Sequence, residues 1–316
     1  MKQSPLVVNN VSVEPGTQKE VLLNVGRLPS DTRINIKLKV FHAAKPGPSL
    51  LVLAGIHGDE INGVEIVRRA LAKGLFENLD RGSVIAIPLL NVYGFINFSR
   101  EVPDGKDVNR SFPGSQSGSL ASRVARALTK KVLPLVDCGV DFHTGGSNNY
   151  NYPQIRYSLG DASAEALARA FQPPIILANK PISKSLRKVS RDQEKPILVY
   201  EGGENARFDG FAIERGLRGL QNILVHLGLK SGALAGDPSV VFERSSWLRA
   251  SRAGIFEWSK SSGQWVRKGE PIGRISDPYG DISIPVLAKR SGFIIGHNNS
   301  PVVSTGDALF HIAYKE

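Results

Sequence analysis

The run Ser49–Ala54 (SLLVLA) carries no charge and stops abruptly at Gly55-Ile56-His57-Gly58-Asp59-Glu60. A continuous apolar strand of this kind is expected at the centre of a sheet, where both faces are covered. The pattern that follows repeats the theme. Val64, Ile66-Val67 and Ala70-Leu71 keep a helical spacing, 83–90 is a second buried strand, 119–133 an amphipathic helix, and 138–142 a third strand ending at His143. A helix over 162–171, strands over 175–177 and 197–200, and a helix over 210–229 complete the series. Strands alternating with helices predict an α/β fold with a mostly parallel sheet flanked by helices. Such sheets place ligands at the carboxyl ends of their strands. The His57/Glu60 loop, His143 and Glu201 all fall there.

Residues 1–48 read as strands leading into this unit, with Ile34, Ile36, Leu38 and Val40 alternating against Asn35, Lys37 and Lys39. The α/β unit is expected to span 49–232. Beyond Gly236-Asp237-Pro238 the chain has no helical period and carries Gly or Pro every few positions, which predicts a small all-β domain over 237–316. It contains an internal repeat. Arg252-Ala253-Gly254-Ile255-Phe256, Trp265-Val266, Gly269, Ile272 and Ile275 match Arg290-Ser291-Gly292-Phe293-Ile294, Val302-Val303, Gly306, Leu309 and Ile312. Paired halves of this type resemble the lipoyl/biotinyl half-barrel. The lysine-bearing hairpin of cofactor carriers is absent between them, so a structural appendage is expected rather than a swinging arm. Its expected core is Ile255, Val266, Ile272, Ile294, Val303 and Leu309.

Forty Lys+Arg against 29 Asp+Glu give a formal charge of +11, and the charge asks what the chain meets. The basic residues are scattered with no run of five, and aromatics are only 7%. A nucleic-acid module would concentrate that charge on one face or tail. No nucleic-acid partner is expected; a small anionic substrate or simple solubility accounts for the balance. The longest uncharged apolar stretch, 50–56, is far short of the ~20 residues that span a bilayer. Only Leu6, Val7 and Val8 follow the opening five residues before two asparagines, too few for a signal-peptide core. The lone Cys138 excludes an intrachain disulfide framework and a thiolate-rich metal cluster, and is expected in the core. A soluble, cytoplasmic protein with no membrane contact is the expectation, and homo-oligomerisation stays open.

His57 and Glu60 form an H-x-x-E on a loop after a buried strand. Imidazole and carboxylate three residues apart converge on one cation if the chain turns between them, and Gly55 and Gly58 allow the turn. Zinc suits this N/O set, and a catalytic zinc takes a third protein ligand while leaving a place for water. His143, in Asp141-Phe142-His143, is the candidate. Between a strand and a helix lies a polar loop with Arg100, then Asp107-Val108-Asn109-Arg110-Ser111-Phe112-Pro113-Gly114. Arginine fits a carboxylate bidentately and asparagine adds a hydrogen bond.

Gly-Ile-His57-Gly-Asp-Glu60, Asp107-Val-Asn109-Arg110-Ser-Phe-Pro-Gly, Asp141-Phe-His143 and Glu201-Gly-Gly, in that order, resemble the succinylglutamate desuccinylase/aspartoacylase family, a branch of the zinc carboxypeptidase-like hydrolases. The resemblance implies one zinc per chain on His57, Glu60 and His143, and Glu201 as the general base. It further implies that Arg100 stabilises the oxyanion and that Asn109 and Arg110 grip the substrate carboxylate. Family members that bind a second carboxylate use an arginine ahead of the base, and Arg187 and Arg191 compete for that place. The loop 147–153 could line the acyl pocket or merely cover the sheet. His42, His226, His297 (in a turn) and His311 (in a strand) have no partner at metal-ligand spacing.

The reading is a zinc-dependent amidohydrolase acting on an N-acyl amino acid or related small anionic amide. A carboxypeptidase-like peptidase acting on peptide C-termini is the runner-up. A basic binding module with a vestigial metal site is the non-enzyme alternative, and it expects one of His57, Glu60, His143 or Glu201 to be missing. The β domain is expected to pack over the strand ends and narrow the cleft; the rival expectation is a detached module that leaves the cleft open to peptides.

Overall fold

The computed structural model describes residues 3–27 and 30–315. A hairpin of β1 (Leu6–Val8) and β2 (Val11–Val13) precedes two long antiparallel strands, β3 (Thr17–Arg27) and β4 (Arg33–His42). The α/β series follows: β5 (Ser49–Ala54), α1 (Ile61–Ala72), β6 (Ser83–Ile87), α2 (Val92–Asn97), α3 (Leu120–Lys131), β7 (Cys138–Gly145) and β8 (Asn149–Ser158). It continues with α4 (Ala162–Phe171), β9 (Ile175–Asn179), α5 (Leu186–Asp192), β10 (Ile197–Glu204) and α6 (Gly210–His226). The C-terminal strands are β11 (Val240–Phe242), β12 (Arg244–Arg249), β13 (Gly254–Trp258), β14 (Trp265–Val266), β15 (Pro271–Ser276), β16 (Ser283–Leu287), β17 (Gly292–Asn298), β18 (Val302–Val303) and β19 (Ala308–Tyr314).

The main sheet runs β3-β4-β6-β5-β7-β10-β8-β17-β19-β12. Its centre is parallel, as expected, through β6, β5, β7 and β10. The flanks are not. β4 joins β6, β8 joins β10, and β17 joins β8, all antiparallel, so the sheet is mixed rather than mostly parallel. The apolar strand β5 shows why its residues do not alternate in polarity. Leu50, Val52 and Ala54 enter one core with α1, α4 and α6, while Leu51 and Leu53 enter a second core with α3. Both faces are dry, so both must be apolar.

The helices form where spacing and caps agree. In α4, Asp161 caps the start by accepting from the Ala164 N–H, and Ala164, Leu167, Ala168 and Phe171 put one stripe against the sheet. Helix α6 is capped likewise by Asp209. It approaches α4 so closely that a Cβ at Gly219 would lie 2.0 Å from the Phe171 ring, so only glycine fits that crossing.

The C-terminal strands have a core of their own, holding Val266, Ile272, Ile294, Val303 and Leu309 as expected. Ile255 is not in it. Phe256 points inward instead and Ile255 is 37% exposed, because two adjacent apolar residues leave the face of a strand undetermined. The two halves of the repeat match element for element, β13-β14-β15 against β17-β18-β19, and they exchange their short strands. β18 pairs with β13 and β14 with β17. The region is not detached. β17 continues the main sheet through Gly296–Asn151, His297–Tyr150 and Asn298–Asn149, which also places His297 on a strand and not in a turn. No described helix is long and apolar enough to cross a membrane.

Candidate functional site

The chain reverses sharply after β5, with Gly55 at φ +65°. Gly58 then packs so tightly that a Cβ there would lie 1.9 Å from the Gly94 carbonyl carbon. His57 is thereby held in the loop and Glu60 at the N-cap of α1, just before its first residue, where its carboxylate caps nothing. It is used otherwise. Glu60 Oε1 meets His57 Nδ1 at 2.6 Å, and Oε2 meets His143 Nδ1 at 2.8 Å and accepts from the Thr144 N–H at 3.1 Å. His143 arrives from the carboxyl end of β7. All three side chains are buried, and one ligand atom from each lies within 4.8 Å of the others.

Behind each imidazole stands another carboxylate. His57 Nε2 faces Asp107 Oδ1 at 3.2 Å, and His143 Nε2 faces Asp141 Oδ2 at 2.9 Å. This fixes both rings with Nδ1 inward, the arrangement that orients metal-ligating histidines. Burial alone would neutralise the histidines and raise the Glu60 pKa. The mutual attraction outweighs it: Glu60 is held well below the usual carboxylate range by His57 and His143, and His143 well above its ordinary value by Asp141 and Glu60. His57 is raised too, chiefly by Glu60 against the cost of burial. The pocket therefore favours positive charge at its centre, and its N/O donors fit a hydrolytic zinc.

Arg100 is held by Asp107, which accepts from its Nε at 3.2 Å and its Nη2 at 2.8 Å. Its Nη1 points at the cluster, 3.2 Å from Glu60 Oε1. Asp107 itself is kept well below the carboxylate range; burial works against this, but His57 and Arg100 prevail. On β10, Glu201 stands directly across from His143. Its Oε2 accepts from Asn151 Nδ2 at 2.9 Å and its Oε1 lies 3.3 Å from Arg156 Nη1.

These groups line one cavity of about 240 Å³. It holds His57, Glu60, His143, Glu201, Arg100, Asn109, Arg110 and Arg187 from the residues singled out by sequence. Arg191 is not among them. One helical turn beyond Arg187, it is carried outward and donates to the Leu159 carbonyl at 3.1 Å. Arg187 is buried, with its Nη1 lacking a partner, and burial next to Arg156 pushes its pKa down to about 10. Asn109 Oδ1 accepts from the Leu186 N–H at 3.0 Å and so ties the loop to α5. Arg110 is exposed at the rim.

Sequence reasoning missed several lining residues. Arg156 lies on β8 and Trp247 on β12 in the C-terminal region, while Asn149 and Asn151 come from the segment 147–153, which is strand β8 from Asn149 onward and not a loop. Asp107 and Asp141 stand inside the motifs; Asp141, two residues before His143, carried a local signal, whereas Asp107 is 50 residues from His57 and had none. The cavity carries four arginines against the carboxylates of Glu60, Asp141 and Glu201.

Among known proteins, the model of the succinylglutamate desuccinylase/aspartoacylase catalytic domain matches residues 46–227. An N-alpha-acetyl-L-2,4-diaminobutyric acid deacetylase from Halomonas elongata is 28% identical over 284 residues, covering 84% of this chain and 82% of that protein. The product-bound structure of the ectoine utilization protein EutE (DoeB) from Ruegeria pomeroyi superposes with a TM-score of 0.84 at 24% identity, over 94% of this chain and 95% of that one. A succinylglutamate desuccinylase/aspartoacylase from Rhodobacter sphaeroides gives 0.85 at 24% identity, over 95% of each chain. The two structural likenesses establish the fold.

Proposed function

The chain belongs to the succinylglutamate desuccinylase/aspartoacylase family, and from that premise we propose a zinc-dependent hydrolase that cleaves the amide bond of an N-acyl amino acid. The bond would be a carbon–nitrogen bond other than a peptide bond. The observation that carries the reading is the junction of His57, Glu60 and His143, each imidazole backed by a carboxylate, with Glu201 one strand away. His57, Glu60 and His143 would hold one zinc per chain. Bound there, the metal supplies charge that acidifies water and polarises a carbonyl.

The chain's own groups account for the remaining steps. Glu201 takes the proton of the attacking water and returns it to the leaving amine nitrogen. Arg100, pinned by Asp107, offers Nη1 to the carbonyl oxygen as negative charge builds there. Arg110 and the free amide nitrogen of Asn109 grip the substrate carboxylate. Arg187, whose Nη1 is unpartnered inside the cavity, suits a second anionic group. The relative named for deacetylating an N-acetyl diamino acid supports amide hydrolysis on an acylated amino acid.

Size favours the small substrate over a peptide. The cavity is below the roughly 300–1,000 Å³ of pockets for drug-sized ligands, at about 240 Å³, and Trp247 from the C-terminal region closes part of it. This supports a lid role for the β domain, and the exchanged short strands support its half-barrel likeness. The test is a panel of N-acyl amino acids and short peptides. Glu201→Gln should lower kcat with zinc retained, whereas Arg110→Ala should raise KM about thirtyfold (roughly 2 kcal/mol) with kcat kept. Wild-type turnover by Glu201→Gln, or faster cleavage of peptides than of acyl amino acids, overturns the reading.

A further inference from the structure

We infer that Arg156 is a positioning residue for Glu201, fixing the carboxylate that the preceding reading makes the general base, and the inference rests on that reading. Both oxygens of Glu201 are engaged from one strand. Arg156 Nη1 is 3.3 Å from Oε1 and Asn151 Nδ2 donates to Oε2 at 2.9 Å. The backbone alone does not fix that carboxylate. The register of β10 shifts just beyond Glu201 against β7 and against β8, so the ladder that would hold the side chain's direction is interrupted there.

Arg156 is itself aimed. Its Nε donates to Gln154 Oε1 at 3.3 Å. Gln154 is fully buried, and its Nε2 donates to the carbonyls of Tyr152 at 3.2 Å and Ile295 at 3.0 Å. Ile295 lies on β17, which pairs with Asn149–Asn151 of β8, while β9 pairs with β8 from Gln154 onward. The C-terminal region thus reaches the catalytic carboxylate through Ile295, Gln154 and Arg156, in addition to walling the cavity with Trp247. A proton-transfer group must be placed within a fraction of an ångström of the reacting atoms. A guanidinium on one oxygen and an amide on the other provide that placement.

The experiment uses the full-length, zinc-loaded protein and the N-acyl amino acid cleaved fastest in the panel. Arg156→Ala should lower kcat by about tenfold or more while KM changes little. Arg156→Lys, which keeps the charge and most of the stem, should retain more of kcat. Added guanidinium at millimolar concentration should restore Arg156→Ala turnover several-fold and leave Glu201→Gln unaffected. A rise in KM at unchanged kcat would make Arg156 a substrate grip and overturn the proposal. So would an unchanged kcat, or a loss that neither guanidinium nor lysine relieves, which marks a purely structural role. If Glu201→Gln itself keeps its turnover, it is the general-base reading that has failed.

Discussion

Lowering the pH from 7.5 to 5 should cost the wild-type protein about 2 kcal/mol more stability than it costs a His311→Leu variant. His311 lies on β19 opposite Trp247, their rings stacked 4.4 Å apart with planes 10° from parallel. Its Nε2 is 2.9 Å from Ser245 Oγ, and its Nδ1 is buried without a partner. Burial first, and the Arg156 cation second, push its pKa down to about 3. In this window the folded ring stays neutral, while the unfolded ring gains its proton near pH 6.5. The unfolded state therefore binds more protons, and stability falls as pH falls. Integrating that difference from pH 7.5 to 5 gives about 2 kcal/mol. His297, pushed down to about 4 by burial, adds a similar amount, and the loss continues toward those lower pKa values. His57 and His143, whose pKa values are raised, act oppositely: their contribution is full below pH 6.5 and lost as pH rises. The readout is accordingly the difference between two proteins, each unfolded in urea at both pH values. Equal losses in wild type and variant would refute the reasoning.

Phe256→Ala should cost about 3–5 kcal/mol and Ile255→Ala less than about 1, measured by chemical denaturation. Similar losses would contradict the inward face assigned to β13. Trp247→Ala should open the cavity and raise kcat/KM for an N-hexanoyl substrate relative to its N-acetyl counterpart by about tenfold or more. An unchanged ratio would remove Trp247 from the wall. Gly58→Ala places a Cβ 1.9 Å from the Gly94 carbonyl carbon, so the His57 loop must shift and zinc affinity should fall in a calorimetric titration. Wild-type affinity would show that the loop yields without disturbing the ligands.

The parts of this molecule that were legible in sequence are those set by local pattern. Helix α4 occupies the expected residues because an N-cap and an apolar stripe coincide there. The metal-ligand candidates lie together because a glycine-flexed loop and two strand ends are brief, local statements. Strand β8 was not legible. Asn151 and Gln154 are polar and buried, and what satisfies them is Glu201 and the Ile295 carbonyl, 50 and 141 residues away. No period in the sequence reports partners at that distance. The choice between Arg187 and Arg191 likewise depended on how α5 meets the cavity: the helix rises about 6 Å between them. The face of β13 was ambiguous because Ile255 and Phe256 are adjacent and both apolar.

The most direct test of the central claim is turnover of an N-acyl amino acid by protein stripped of metal and then titrated with zinc. The account predicts no hydrolysis in the stripped protein and full recovery at one zinc per chain, with no recovery in His57→Ala. Full activity in the metal-free protein would contradict it.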